Sequence, residues 1–321
     1  MIEWQVHSGN FTPMLATLSD KAPDGEWTFE PKLDGLRCIA TRSGDEIHLW
    51  SRNHLSFDRR FPHVIAALRA LPAEHFVFDG ELVAFEGEHT SFSALQQLPS
   101  WQQLPSWLHD AENGAPVYFI FDMLHLLGRD TTQLPIEERK ALLAKAVVPT
   151  GTLRLVEPLE GNGHELFAAA CKNGWEGIVA KRSGSPYSSG RSRNWVKLKC
   201  SSSQELVVGG WTEPRGSRKG IGALLVGFYD DEGFRYAGKV GTGFSDKTLN
   251  ELHGALTSRE SKSSSFVDAV KEKTAHWCTP ELVAQVAFME WTSDGKLRHP
   301  RFEGLRPDKD PKTVRRETSS G

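Results

Sequence analysis

Glu30-Pro31-Lys32-Leu33-Asp34-Gly35-Leu36-Arg37 joins the strand-like run Trp27-Thr28-Phe29 to a second one at Cys38-Ile39-Ala40. A lysine between two β-like runs, followed by an acid and a glycine, suits a buried amine aimed at an electrophile. Lys32 is therefore the candidate nucleophile. Attack on phosphorus or carbonyl carbon requires the neutral amine, so its pKa is expected to fall from about 10.4 through burial and neighbouring cations such as Arg37 or a bound metal. Taken alone, Lys-x-Asp-Gly reads equally as a surface lysine beside an Asp-Gly turn.

Outward from that stretch, the composition describes a globular protein. The chain has 321 residues, 39% hydrophobic and 25% charged, long enough for two domains with separate cores. No apolar run reaches membrane length, and Met1-Ile2-Glu3-Trp4-Gln5 lacks a basic then apolar leader, so a cytoplasmic location without membrane contact is expected. Cys38, Cys171, Cys200 and Cys278 are scattered without a Cys-x-x-Cys pair, which predicts neither a zinc site nor a disulfide framework. The net charge of −3 argues against a nucleic-acid partner, but its distribution argues for one. Residues 180–220 hold nine Lys or Arg against two acids, and residues 296–316 hold eight against three. Two basic stretches on a near-neutral chain suit a face that grips phosphates.

In chain order, residues 15–20 read as a short helix or turn, 47–50 as a strand, and 62–71 as a helix opened by Pro62. Residues 76–85 read as a strand pair broken at Asp79-Gly80, 92–97 as a helix, and 117–123 as a buried apolar strand. Gln96-Gln97-Leu98-Pro99-Ser100-Trp101 is repeated at once as Gln102-Gln103-Leu104-Pro105-Ser106-Trp107, a local duplication too short for a solenoid repeat. Helices follow at 136–146 and 164–171, then strands at 178–180 and 195–198 with a basic Ser/Gly-rich loop at 183–193 between them. Ser201-Ser202-Ser203 marks a domain boundary. Beyond it, strands at 206–211, 223–229, 234–240 and 283–291 with one helix at 246–256 describe a small all-β domain.

Five further stretches follow Lys32 in order: Ser51-Arg52-Asn53, Phe78-Asp79-Gly80-Glu81-Leu82, Tyr118-Phe119-Ile120-Phe121-Asp122, Glu176-Gly177-Ile178-Val179-Ala180-Lys181-Arg182, and Trp195-Val196-Lys197-Leu198-Lys199. Their order resembles the covalent nucleotidyltransferases, among them the ATP-dependent DNA ligases and the ligase domain of bacterial ligase D. The likeness runs from Pro13-Met14-Leu15-Ala16 to Arg315-Arg316-Glu317. It implies an α+β fold of two domains. Residues 1–200 would form a nucleotidyltransferase (adenylation) domain of antiparallel sheets flanked by helices, and residues 201–321 an OB-fold β-barrel.

The resemblance also implies an activity: ATP-dependent sealing of 5′-phosphate/3′-hydroxyl DNA breaks through lysyl-AMP and DNA-adenylate, in repair or end joining. ATP and Mg2+ or Mn2+ are the implied cofactors. The implied partners of a monomeric enzyme are nicked or broken double-stranded DNA and, by analogy, a Ku-like end-binding protein. Lys32 would carry the adenylate. Arg37 and Arg52 match phosphate and sugar contacts, Glu81 a ribose or metal contact, Glu176 a metal ligand, and Phe121 the ring stacked on adenine. Glu30 matches the residue near the adenine amino group, and Arg191, Lys197 and Lys199 match triphosphate contacts. Lys197 and Lys199 are two apart on a strand and so share a face. If Ile120 faces the core, Phe121 faces the other side, where a base fits. Within Leu297-Arg298-His299-Pro300-Arg301-Phe302-Glu303-Gly304-Leu305-Arg306-Pro307-Asp308-Lys309, Arg301 and Lys309 match a pyrophosphate-orienting motif. Arg182, Arg193, Arg215, Arg218 and Lys219 are the candidate DNA contacts. The alternatives are an RNA-capping guanylyltransferase or RNA ligase, distinguished by nucleotide choice, and a catalytically inert module that binds DNA ends.

Overall fold

Two large sheets and a two-stranded one, Phe85–Glu86 with His89–Thr90, build the first of two units into which the chain divides after Cys200 in the computed structural model, which describes residues 11–97, 114–200, 202–214 and 220–317. One sheet has four strands in the order Met14–Leu18, Gly190–Lys199, Gly177–Arg182, Trp27–Pro31. Its first pair is parallel and the others antiparallel. The second runs Leu153–Leu155, Val117–Leu126, His75–Val83, Leu36–Ser43, Glu46–Ser51, with Arg129–Asp130 hydrogen-bonded to Val117–Leu126. Only Leu153–Leu155 joins it in parallel.

Alternation along the strands gives each sheet two chemically different faces. On the second sheet Leu36, Cys38, Ala40, Phe78, Leu82, Tyr118 and Ile120 turn one way into the main core, where they meet Val64 and Leu68 of helix Pro62–Arg69 and Leu143 of helix Ile136–Ala146. Burying each large apolar side chain there contributes about 2 kcal/mol. On the four-stranded sheet Phe29, Ile178, Ala180 and Leu198 pack beneath Ala170 of helix Gly163–Lys172, whose first turn is capped by Asn162 accepting from His164 N at 2.9 Å. The opposite faces share a smaller cluster: Met14, Tyr187 and Trp195 from one side, Ile39, Val77 and Leu124 from the other. Charged residues gather around it.

Several expectations are corrected. Residues 15–20 are not a helix, because Met14–Leu18 is captured as an edge strand by Gly190–Lys199. Asp79-Gly80 does not break a strand pair; His75–Val83 is one strand, and a side chain at Gly80 would collide with Phe119 O at 2.4 Å. The basic loop is shorter than expected, since strand Gly190–Lys199 already includes Arg191 and Arg193. Most plainly, Cys171 and Cys200 form a disulfide, with Cα atoms 5.0 Å apart, where none was expected. The fold brings the last turn of helix Gly163–Lys172 to the end of strand Gly190–Lys199, a juxtaposition that scattered spacing conceals. The Gln96 to Trp107 duplication lies, after Gln97, outside the described residues.

The second unit is an antiparallel sheet in the order Gly233–Val240, Leu224–Asp230, Ser202–Thr212, Ala275–Phe288, Glu260–Ser261, with Arg301–Leu305 also paired to Ala275–Phe288. Leu249, Leu252 and Leu256 of helix Asp246–Thr257 complete its core with Leu206, Val208, Leu225 and Phe234. Among the described residues the strand ladder does not return on itself. The expected barrel is thus an open one, whose last strand in that order has only two residues.

Candidate active site

Lys32 immediately follows strand Trp27–Pro31, and its N–H donates to Gly177 O at 3.0 Å. That bond places its ammonium against Glu176 Oε1, with both side chains about one-fifth exposed (20% and 19%). Glu176 Oε2 is buried and has no hydrogen-bond partner among the described residues. Gly177 makes this approach possible: its φ is +150°, and a Cβ there would lie 1.9 Å from Leu198 O. Across the next strand Lys199 lies opposite Gly177, and Lys197 opposite Val179, so both lysines share the face expected of them.

The same face carries Glu30, opposite Val179, and Lys181, opposite Trp195. Glu30 is buried between Lys140 and Lys181, whose Nζ is 2.7 Å from Glu30 Oε2. Lys181 Nζ also donates to Phe121 O at 3.2 Å and lies 4.6 and 4.4 Å from the ring centres of Phe121 and Trp195. Phe121 does face away from the main core, as expected from Ile120. It is the extra residue of a bulge, since Asp122 opposes Asp79 while Ile120 opposes Gly80.

From the second sheet Arg37 points toward this group, opposite Glu81, which in turn lies opposite Phe119. Its Nε and Nη2 donate to the two oxygens of the fully buried Asp79 at 2.5 and 2.6 Å, and Nη2 also donates to Met14 O at 3.1 Å. The guanidinium carbon stands 4.7 Å from the centre of the Phe121 ring. Arg52 follows strand Glu46–Ser51 and is half-buried. Arg191 is exposed and donates to Ala16 O at 3.0 Å. Arg182 and Arg193 are exposed, the former 5.9 Å over Trp27.

The charge state of Lys32 differs from expectation. Burial pulls its pKa down, but Glu176, with Asp34 and Glu81 behind it, outweighs burial and raises it above the ordinary value. The resting side chain is an ammonium ion, not the neutral amine. Lys181 behaves oppositely: burial, with Lys140 close by, lowers it to about 8 against the pull of Glu30. Arg37 is also buried, yet Asp79 raises its pKa further and it stays charged.

This gathering of a lysine, an orphaned carboxylate oxygen and a ring of cations coincides with a family match. The ATP dependent DNA ligase domain matches residues 11–199, and the ATP dependent DNA ligase C terminal region matches 217–309. The chain belongs to the ATP-dependent DNA ligase family. The multifunctional non-homologous end joining protein LigD of Pseudomonas aeruginosa is 35% identical over 329 residues, covering 98% of this chain and 38% of that protein. The corresponding LigD of Mycobacterium tuberculosis is 36% identical, covering 96% of this chain and 40% of the relative. This ligase-family chain therefore spans about two fifths of the length of these relatives. The solved structure of mycobacterial DNA ligase D complexed with ATP and MES superposes with a TM-score of 0.66 at 33% identity, over 96% of this chain and 99% of that one.

The remaining stretch singled out in the sequence, 297–309, lies in the second unit. Arg301 is exposed at the start of strand Arg301–Leu305. Arg306 instead grips Asp308 at 2.9 and 2.8 Å, both buried, and Lys309 Nζ lies 2.9 Å from Glu205 Oε1. Arg306 holds the Asp308 carboxyl below its usual range against the opposing effect of burial. Arg215, Arg218 and Lys219 lie outside the described residues. Sequence reasoning missed Asp79, Tyr187, Lys181 and Trp195 as parts of the site. Asp79, Lys181 and Trp195 stand inside quoted motifs, whereas nothing in the sequence singles out Tyr187.

The protein's carboxylates fit a hard cation. Among the described residues no three His, Cys, Asp or Glu cluster into a cage, but Mg2+ characteristically takes only one or two carboxylates beside phosphate and water. Glu176, with its buried orphaned oxygen, is the first carboxylate that would hold such an ion, and Glu81 is the second candidate.

Proposed function

We propose that this chain seals 5′-phosphate/3′-hydroxyl breaks in duplex DNA with ATP. Lys32 attacks the α-phosphorus, pyrophosphate leaves, and the adenylate stays on the lysine. The adenylate then passes to the DNA 5′-phosphate, and the 3′-hydroxyl displaces AMP. The observation that carries this reading is the Lys32–Glu176 pair with its unpartnered second oxygen. Glu176 keeps the nucleophile protonated at rest. Once that carboxylate is drawn to another cation, burial dominates and favours the neutral amine. Mg2+ or Mn2+, held by Glu176 and Glu81, would neutralise phosphate charge.

Around that centre Arg37, Arg52, Arg191, Lys197 and Lys199 offer cations to the triphosphate, with the forked guanidiniums suited to phosphate and sugar oxygens. Phe121 offers a ring for the base and Glu30 an acceptor near its amino group. Arg182 and Arg193, both exposed, are suited to the DNA backbone, with Arg215, Arg218 and Lys219 as further candidates. The names of the relatives support a role in end joining, and we propose by analogy a cytoplasmic monomer working beside a Ku-like end binder.

Intact-mass measurement after incubation with ATP and Mg2+ tests the reading. The mass should rise by one AMP, Lys32→Ala should show no increase, and GTP should give no comparable adduct. An adduct with GTP alone would move the protein to the capping class. Undiminished labelling of Lys32→Ala would remove Lys32 as nucleophile.

A further inference from the structure

Behind Arg37 four groups close a ring of hydrogen bonds. Arg37 grips both oxygens of Asp79. Tyr187 Oη donates to Asp79 Oδ2 at 2.6 Å and accepts from Met14 N at 2.9 Å. Met14 O then accepts from Arg37 Nη2 at 3.1 Å. A carboxylate only accepts and a backbone N–H only donates, so the hydroxyl proton must point to Asp79, and both arms of the ring start at Arg37 as donor and end on Asp79 as acceptor. Tyr187 is 3% exposed, and Trp195 meets its ring edge to face at 5.7 Å.

The ring is more than the Arg37–Asp79 pair needs. Asp79 is already satisfied by two guanidinium bonds, whereas the Tyr187–Met14 segment ties that pair to the neighbouring sheet. Met14 opens one strand of the four-stranded sheet, and Tyr187 lies in the connection between Gly177–Arg182 and Gly190–Lys199. Lys32 immediately follows one strand of that same sheet and Glu176 immediately precedes another, while Arg37 and Asp79 belong to strands of the other sheet. Of the five N–H donors of Arg37, three are engaged in the ring. Its Nη1 group has no hydrogen-bond partner among the described residues, and 18% of the side chain is exposed.

We propose that Tyr187 is a positioning residue: through Asp79 and Met14 it registers Arg37 on one sheet against Lys32 on the other, so that the Nη1 edge meets the phosphate and sugar of the bound nucleotide. This rests on the ligase reading above. Tyr187 touches no reacting atom itself. Its effect travels through the orientation of one guanidinium.

Tyr187→Phe removes one oxygen and keeps the ring. Single-turnover lysyl-AMP formation should then need about tenfold more ATP for half-saturation, the size of one hydrogen bond to a charged group. The maximal rate should change less than threefold, and the thermal midpoint only by a few degrees. In an Arg37→Gln background the same substitution should add almost nothing, because the residue it acts through is gone. Unchanged half-saturation in Tyr187→Phe, or an effect undiminished in the Arg37→Gln background, overturns the inference. A lowered thermal midpoint with parental half-saturation returns Tyr187 to a structural part. A parent that forms no adduct at all overturns the ligase reading as well, which separates the two failures.

Discussion

Lys32, the proposed nucleophile, rests as its conjugate acid. Its sequence neighbourhood predicted a depressed pKa because Arg37 and burial were visible there, while Glu176, 144 residues away, was not known to touch it. The direction therefore reversed once the chain was folded. The sign has a consequence for stability. A lysine whose folded pKa exceeds its unfolded value near 10.5 contributes stability that is fully present below that value and is lost as pH rises through the folded pKa. The same sign governs reactivity in the free enzyme, where the amine is scarce at neutral pH. Single-turnover lysyl-AMP formation at limiting ATP and Mg2+ should consequently climb with pH through the alkaline range. A flat profile from neutral pH upward would mean that Glu176 releases Lys32 before nucleotide binds. The candidacy of Lys32 rests on its motif; its ionisation required the Glu176 partner.

Elements with strong patterns were legible almost to the residue. Helix Ile136–Ala146 has the expected bounds, and the apolar run at 117–123 lies in the interior strand Val117–Leu126. Misreadings occurred where a distant partner decided the outcome. Met14–Leu18 has a helix-friendly composition and is a strand because residues 190–197 offer it an edge. Asp79-Gly80 looks like turn chemistry, yet Asp79 is sequestered by Arg37 and Tyr187. The Cys171–Cys200 bridge belongs to the same class, because its two ends are 29 residues apart and meet only in the fold. It joins helix Gly163–Lys172 to the strand that carries Lys197 and Lys199, and Cys200 N donates to Glu176 O at 2.9 Å. Closing a loop of that length restricts the unfolded chain by about 3.6 kcal/mol. Cys171→Ser should therefore lower the urea midpoint of oxidised protein by the equivalent amount, and a reducing agent should erase the difference from the parent. Equal midpoints under oxidising conditions would show that the two thiols do not pair in solution.

At the scale of the whole molecule, a net charge of −3 conceals two basic stretches, one running across the boundary after Cys200 and one wholly within the second unit. The division of labour between the units is the remaining question. The second unit spends Arg306, Asp308 and Lys309 partly on itself, since Arg306 holds Asp308 and Lys309 holds Glu205. Arg301, exposed on strand Arg301–Leu305, carries no comparable structural duty in the Arg306–Asp308 network. This makes it the cleaner probe of whether the second unit orients the leaving pyrophosphate. In that case Arg301→Ala should slow lysyl-AMP formation by about 10²-fold, the scale of lost in-line positioning and lost charge stabilisation. Its thermal midpoint should stay at the parental value. The same variant should still seal a nicked duplex that already carries a 5′-adenylate, because no pyrophosphate takes part in that step. Lys309→Ala should show the same division but with a lower midpoint, since it also removes the Lys309–Glu205 ion pair. If Arg301→Ala loses sealing of the pre-adenylated nick as severely as it loses adenylation, the residue serves DNA contact instead. The cations of the second unit would then act in the later transfers and not in the first.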